Sequence, residues 1–373
     1  MAETKCDCID ITPQPSAPLR AYRISDGKLV WWREPESTRA DAVSLIDGEL
    51  YMAMRPEFSN SRIFMRFGQD GTNNRRGKPT SGSIGLGKIF GARKNLSTNQ
   101  FPIISGQILQ TSLCRLFNAT TGIQEAAFSV VYPSRDQIFT YGDKVDLMGE
   151  VVLGAGLINR WMRYTTAGTG TVMAAVNIDG RMFPSGEYYY LIGTFDNITQ
   201  YRKYSKLDGA ESLVDRKFLN GYSLVACSGD GSQYVGCLLN HSGALELRMY
   251  DPGGLAWTAT LPYAYAGTES SQICVSESGE IYVYYSNFGR ARIIAYRGGG
   301  VSWNVASSTF QMTFDTRVNT QPLRVQGTTI IAWDRRLDYN TGETLWELPG
   351  GFGNDLAIGR NYVFSATSGS LAS

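Results

Sequence analysis

Histidine is almost absent from this chain: His241 is the only one in 373 residues. A Ser/His/Asp or Cys/His catalytic arrangement would have to be built on it. It lies in Leu238-Leu239-Asn240-His241-Ser242-Gly243, which reads as a solvated turn between strands. Metal centres draw on three or four clustered soft or imidazole ligands, and one histidine with scattered cysteines supplies no such spacing. An excess of either charge is also lacking. With 35 Lys+Arg against 34 Asp+Glu, the chain has no global field to attract nucleic acid or acidic membranes. Apolar runs such as Val151–Ile158 fall far short of the roughly 20 residues of a membrane helix, so no membrane insertion is expected. Met1-Ala2-Glu3-Thr4-Lys5-Cys6-Asp7 has acidic and polar groups where a secretory signal needs an apolar core, which predicts synthesis in the cytoplasm. No window of roughly 11–18 residues shows a helical period, so no long helix is expected.

What the chain has instead is glycine, 41 residues of it, in two alternating kinds of turn. The first joins a run ending in an aromatic or basic residue to a run carrying tryptophan. Four copies share Gly-x-x-x-Trp: Gly27 to Trp31, Gly253 to Trp257, Gly299 to Trp303 and Gly342 to Trp346. Weaker copies sit at Gly71, Gly122, Gly168 and Gly209. Along this series the steps are 44, 51, 46, 41, 44, 46 and 43 residues, the period of a four-stranded propeller blade. The second kind precedes a strongly β-forming run, as in Asp47-Gly48-Glu49-Leu50-Tyr51, Asp230-Gly231-Ser232-Gln233-Tyr234 and Ser278-Gly279-Glu280-Ile281-Tyr282. Looser copies sit at Gly106, Gly149, Gly186, Gly327 and Gly359. Both kinds are hairpin signals, because glycine supplies the positive φ of tight turns between Val-, Ile-, Tyr- and Trp-rich flanks.

The two kinds interleave so that the chain opens on an unmatched hairpin of the first kind and closes on an unmatched one of the second. Pairing Leu356–Ser365 with Leu19–Trp32 would complete one blade and leave no open seam. The expectation is an all-β fold, an eight-bladed β-propeller over residues 19–373, with seven blades as the alternative because the hairpins near Gly71 and Gly168 are irregular. The Gly-x-x-x-Trp hairpins, most of all Asn340-Thr341-Gly342-Glu343-Thr344-Leu345-Trp346, resemble the quinoprotein-type (PQQ-like) propeller repeat. In such repeats the indole covers the neighbouring blade, which implies that Trp31, Trp257, Trp303 and Trp346 pack between blades. Quinoprotein dehydrogenases of this type carry adjacent cysteines and bind an ion beside the quinone. No two cysteines are adjacent here, so a non-enzymatic member without cofactor or metal is expected.

Gly82-Ser83-Ile84-Gly85-Leu86-Gly87-Lys88-Ile89 has the spacing of a phosphate-binding loop, but Ile89 stands where that motif needs Ser or Thr for magnesium. It reads as a flexible connection. The surrounding segment is the least uniform in charge. Between Ser61 and Leu96 lie Arg62, Arg66, Arg75, Arg76, Lys78, Lys88, Arg93 and Lys94, with Asp70 the only acid. A basic Gly-rich insertion around 72–96 is therefore expected, with Arg75, Arg76, Lys78, Lys88, Arg93 and Lys94 docking on an acidic protein surface. Aromatics do not alternate with these charges, which argues against nucleic acid as the partner. Residues 1–18 hold Cys6 and Cys8 followed by Pro13, Pro15 and Pro18. They read as an extended arm whose thiols stay free, join another subunit or bind a metal. Cys114, Cys227, Cys237 and Cys274 fall in strand-like runs and read as small buried hydrophobes.

These features together predict a non-catalytic structural protein that contacts other protein subunits of a large assembly. A phage virion component of the tail or capsid accessory kind fits best. The alternatives are a carbohydrate- or peptide-binding propeller and a divergent quinoprotein-like enzyme.

Overall fold

The computed structural model describes residues 19–33, 38–46, 49–56, 63–71, 75–76, 90–91, 100–108, 111–118, 121, 123–153, 156–176, 179–195, 198–207, 213–264, 270–287, 290–307, 323–332, 334–348 and 355–366. Every regular element among them is a strand, and all pairings are antiparallel. The chain starts with a hairpin of β1 (Leu19–Arg23) and β2 (Leu29–Arg33). Unit II follows as β3 (Thr38–Ile46), β4 (Glu49–Pro56), β5 (Ile63–Phe67) and the short β6 (Arg75–Arg76).

Unit III comprises β7 (Phe90–Gly91), β8 (Gln100–Ile108), β9 (Thr111–Asn118) and the first part of β10 (Gln124–Tyr141). β10 serves two units. Its residues Gln124 to Val131 pair with β9, whereas Tyr132, Pro133 and Ile138 to Tyr141 pair with β11 (Lys144–Leu153). Unit IV continues through β12 (Gly156–Thr165) and β13 (Gly170–Val176), so units III and IV form one seven-stranded sheet.

The next four units are separate four-stranded sheets in sequential order. Unit V holds β14 (Asp179–Ser185), β15 (Tyr188–Phe195), β16 (Ile198–Ser205) and β17 (Leu213–Phe218). Unit VI holds β18 (Tyr222–Gly229), β19 (Val235–His241), β20 (Ala244–Asp251) and β21 (Gly254–Ala264). Unit VII holds β22 (Ser270–Val275), β23 (Ile281–Asn287), β24 (Arg290–Arg297) and β25 (Gly300–Ser307). Unit VIII holds β26 (Leu323–Gln326), β27 (Thr329–Ala332), β28 (Arg335–Leu337) and β29 (Thr344–Glu347). The chain ends in a hairpin of β30 (Asp355–Ile358) and β31 (Tyr362–Ala366). This hairpin joins the first one in a sheet of order β2-β1-β31-β30, here called unit I. Ala21 faces Phe364, Tyr22 faces Val363 and Arg23 faces Tyr362, so the pairing of the two chain ends expected from the phase of the glycine turns is present.

First strands of successive units approach one another, as in β14 with β18, β18 with β22, β22 with β26 and β26 with β30. These are the inner strands, and the last strand of each unit is the outer one. Burial follows that order. The second strands are covered by a neighbouring sheet on both faces, so they read as unbroken apolar runs rather than alternating ones. Ile281, Tyr282, Val283, Tyr284 and Tyr285 are all buried, as are Val235, Cys237, Leu238 and Leu239. The outer β17 is exposed at five of its six positions.

Apolar clusters fill seven seams between consecutive units. Examples are Leu19, Trp31, Leu50 and Phe364 between units I and II, and Ile24, Ile331, Ile358 and Val363 between units VIII and I. The other five join III to IV, IV to V, V to VI, VI to VII and VII to VIII. Each large side chain fully buried in such a seam contributes roughly 1.5–3 kcal/mol.

Two of the expected turn positions differ in the structure. Gly106 lies inside β8 and Gly149 inside β11, and the turn opening β11 falls at Gly142 with φ +59°. A central strand flanked on both sides leaves room for glycine where neighbouring sheets come close, so glycine alone does not mark a turn. Gly186, Gly231, Gly279 and Gly327 take positive φ between their strands as expected.

Candidate functional site

Tryptophan seams hold the units in register. The indole N–H of Trp31, on the outer strand of unit I, donates to Gln69 O of unit II at 3.0 Å. Trp303 of unit VII donates to Tyr339 O of unit VIII at 2.9 Å, and Trp346 of unit VIII donates to Ile24 O of unit I at 2.8 Å. Each ring lies against the turn glycine of the next unit: Trp31 against Gly71, Trp303 against Gly342 and Trp346 against Gly27. Phe128 covers Gly168 in the same way between units III and IV. The expected role of these tryptophans as packing residues between units is therefore what the structure shows for Trp31, Trp303 and Trp346.

Two buried charged centres lie at other seams. Between units IV and V, Asp146 is fully buried and accepts from Arg163 Nε at 2.6 Å and Arg163 Nη2 at 2.7 Å. Tyr189 of the next unit donates to the same carboxylate at 3.0 Å. Burial, reinforced by the Asp146 charge, pushes the Tyr189 phenol well above its ordinary pKa. Between units VII and VIII, buried Glu280 accepts from Tyr282 at 2.8 Å and from Tyr339, and Arg297 Nε lies 2.7 Å from its Oε1. The Arg297 guanidinium stacks 4.2 Å from the Tyr339 ring centroid and donates to Tyr339 O at 2.6 Å. Both centres are closed networks in which each carboxylate is met by a cation and by tyrosine. A buried carboxylate so surrounded has its hydrogen-bonding capacity met from two units and orders the seam around it. Neither centre could be read from the sequence. Arg163 reaches Asp146 from the neighbouring strand, and Tyr189 and Tyr339 come from the following units.

The outer rim is apolar. Nine of the twelve large apolar side chains exposed among the described residues lie on outer strands: Val30 and Trp32, Val172, Leu213, Val214 and Phe218, Leu255, Val301, and Leu345. Among the described residues each outer strand ends its sheet, so one row of its backbone donors and acceptors faces away from the sheet. Arg216 stacks 4.3 Å over the Phe218 ring, which leaves β17 both cationic and apolar along its exposed side.

The residues singled out from the sequence fall as follows. Arg75 and Arg76 form β6, whose backbone pairs with Arg66 and Met65, so this basic pair sits on the outer strand of unit II. Lys78, Lys88, Arg93 and Lys94 lie outside the described residues, as do Cys6, Cys8 and the Gly82–Ile89 loop. His241 closes β19 in an exposed position, with Nδ1 3.0 Å from Gly221 O and its ring against Tyr222. Cys114 and Cys237 are buried and Cys227 and Cys274 half-buried, as expected of strand cysteines. Among the described residues, no three potential metal ligands cluster.

No family model matches the sequence, and no curated protein matches it at a significant level. Solved structures do. One is from a study of two prolyl endopeptidases and the role of inter-domain dynamics in their catalysis and specificity. It has a TM-score of 0.53 at 10% identity, over 84% of this chain and 49% of that one. Prolyl oligopeptidase B from Galerina marginata, bound to a 35mer hydrolysis and macrocyclization substrate, has 0.53 at 11%, over 84% and 51%. The β-propeller domain of the trilobed protease from Pyrococcus furiosus has 0.45 at 7%, over 79% and 89%. This chain spans about half the length of the two prolyl peptidases. At such identities the likeness concerns fold alone. Taken with the succession of antiparallel four-stranded units, it identifies the chain as a β-propeller.

Proposed function

We propose that this chain is a non-catalytic interaction propeller that takes up an extended segment of another protein along its outer strands. The observation that supports this is the rim: among the described residues, apolar side chains stand exposed on the outer strands of units I, IV, V, VI, VII and VIII. Strand addition uses such an edge, with main-chain hydrogen bonds for affinity and alternate side chains for specificity. Arg75 and Arg76 belong to the outer strand of unit II, and with these basic residues in its sequence the rim would take a segment that is apolar with acidic residues. In this reading the eight units are blades of one ring, closed by the β1–β31 pairing and by contact of units II and III. The tryptophan seams support a repeat of quinoprotein type, used for rigidity rather than for a cofactor. The partner would be another subunit of an assembly; a virion is one setting for it, with no support from the structures compared above.

A random-peptide selection on the immobilised full chain, followed by hydrogen-exchange mapping of the enriched peptides, tests the reading. Protection is expected on outer strands such as β17, and a Val214→Lys, Phe218→Lys variant should lose binding while keeping its thermal midpoint. Protection confined to inner strands, or failure to enrich any sequence, would overturn it.

A further inference from the structure

Two cysteines face each other across the first hairpin of unit VI. The hairpin is set by Asp230, whose Oδ1 accepts from the backbone N–H groups of Ser232, Gln233 and Tyr234 at 2.9 Å each. Asp230 N also donates to Tyr234 O at 3.0 Å, which makes that pair hydrogen-bonded. From there the register runs without irregularity through Gly229↔Val235 and Ser228↔Gly236 to Cys227↔Cys237. Hydrogen-bonded and non-bonded pairs alternate along an antiparallel ladder, so Cys227 and Cys237 form a non-bonded pair. In such a pair the Cα atoms lie about 4.5 Å apart with side chains on the same face, inside the roughly 4.4–6.8 Å that a disulfide requires. Both side chains belong to one apolar cluster with Val235, Leu239 and Tyr250.

We propose that Cys227 and Cys237 are a redox modification site, oxidised to a cross-strand disulfide that ties the inner strand of unit VI to its neighbour. The two thiols differ in access: Cys227 is half-buried and Cys237 fully buried. The order of events follows. The Cys227 thiolate attacks a low-molecular-weight disulfide, forming a mixed disulfide and releasing one small thiolate. Cys237 then loses its proton to solvent, and its thiolate attacks the Cys227 sulfur. The Cys227–Cys237 bond forms as the second small thiol leaves. Two protein thiols are oxidised and one small disulfide is reduced to two thiols. Burial holds the Cys237 thiol well above its ordinary pKa, so ring closure is the slow step and its rate should rise about tenfold per pH unit. The other two described thiols sit elsewhere: Cys114 is packed between units III and IV, and Cys274 Sγ donates to Leu323 O at 3.1 Å.

The test uses the folded full chain incubated with glutathione disulfide, then alkylated in denaturant, digested without reduction and mapped by mass spectrometry. The expected result is a linked peptide pair holding Cys227 and Cys237, with loss of alkylation at these two positions, retention at Cys114 and Cys274, and recovery after dithiothreitol. In a Cys227→Ser variant Cys237 should remain alkylatable. Full alkylation of both cysteines after oxidation would overturn the proposal. So would a link from either one to a different cysteine, or a bond that forms only when the chain is oxidised in denaturant.

Discussion

Replacing Gly342 by alanine tests whether the tryptophan seams hold the propeller together. Gly342 has φ +75°, and an added Cβ would lie 2.5 Å from Trp303 Cε3 and 2.7 Å from Val305 Cγ2. Two costs combine. The left-handed backbone costs a residue with a Cβ roughly 1–2 kcal/mol, and displacing a packed indole costs roughly 1–3 kcal/mol. The expected loss is therefore about 2–5 kcal/mol. Gly327 is the control: its φ is +54° but nothing lies within 4 Å of the added Cβ, so Gly327→Ala should lose only the backbone part. Denaturant midpoints at constant m measure both. A double-mutant cycle separates the steric part, because Gly342→Ala should cost less once Trp303 is reduced to alanine. Trp303→Phe keeps most of the ring but forfeits the bond to Tyr339 O, a loss of about 0.5–1.5 kcal/mol. Equal costs at Gly342 and Gly327, together with an additive cycle within about 0.5 kcal/mol, would refute the seam argument.

Further outcomes follow from other parts of the molecule. Deleting the residues after Gly353 removes β31, the partner of β1, together with β30, and should lower the melting temperature of the whole chain in scanning calorimetry; an unchanged melting temperature would show that the paired chain ends do not support the fold. Asp146→Asn leaves Arg163 buried without its counter-ion and should cost about 3–5 kcal/mol in denaturant unfolding, whereas replacing both partners by apolar residues should cost less. Tyr189 and Tyr250 are held protonated by burial, so their contribution is complete below about pH 10, where unfolded tyrosine is also neutral. Above that pH the unfolded state ionises first, and stability measured by alkaline titration should fall by about 1.4 kcal/mol per pH unit for each. Reversing Arg75, Arg76 and Lys78 to glutamate should abolish docking on an acidic partner while sparing the fold, and wild-type binding should weaken with salt on the scale of a Debye length of about 8 Å; unchanged binding of the variant would remove this role.

By itself, the sequence determined what local backbone chemistry decides. Positive-φ glycines at Gly27, Gly299 and Gly342 mark hairpins because few other residues take that conformation cheaply, and their period of about 44 residues is that of a four-stranded blade. The pairing of Tyr362–Phe364 with Ala21–Arg23 was legible too, since the phase of the two turn series leaves complementary hairpins at the two ends. The opposition of Cys227 and Cys237 was not legible, because a two-residue turn at Asp230-Gly231 would set Cys227 against Tyr234, whereas Asp230 caps a longer loop that sets it against Cys237. Tertiary structure alone decided the rest. A carboxylate such as Asp146 or Glu280 carries no mark of its partner when Tyr189 or Tyr339 arrives from the following unit, and β10 passes from unit III to unit IV without a turn to announce it. Gly106 and Gly149 look like turn glycines, yet both lie inside strands. Turns are set by the few residues within them, whereas seams, buried ion pairs and the exposed rim depend on which surfaces meet once the units are stacked.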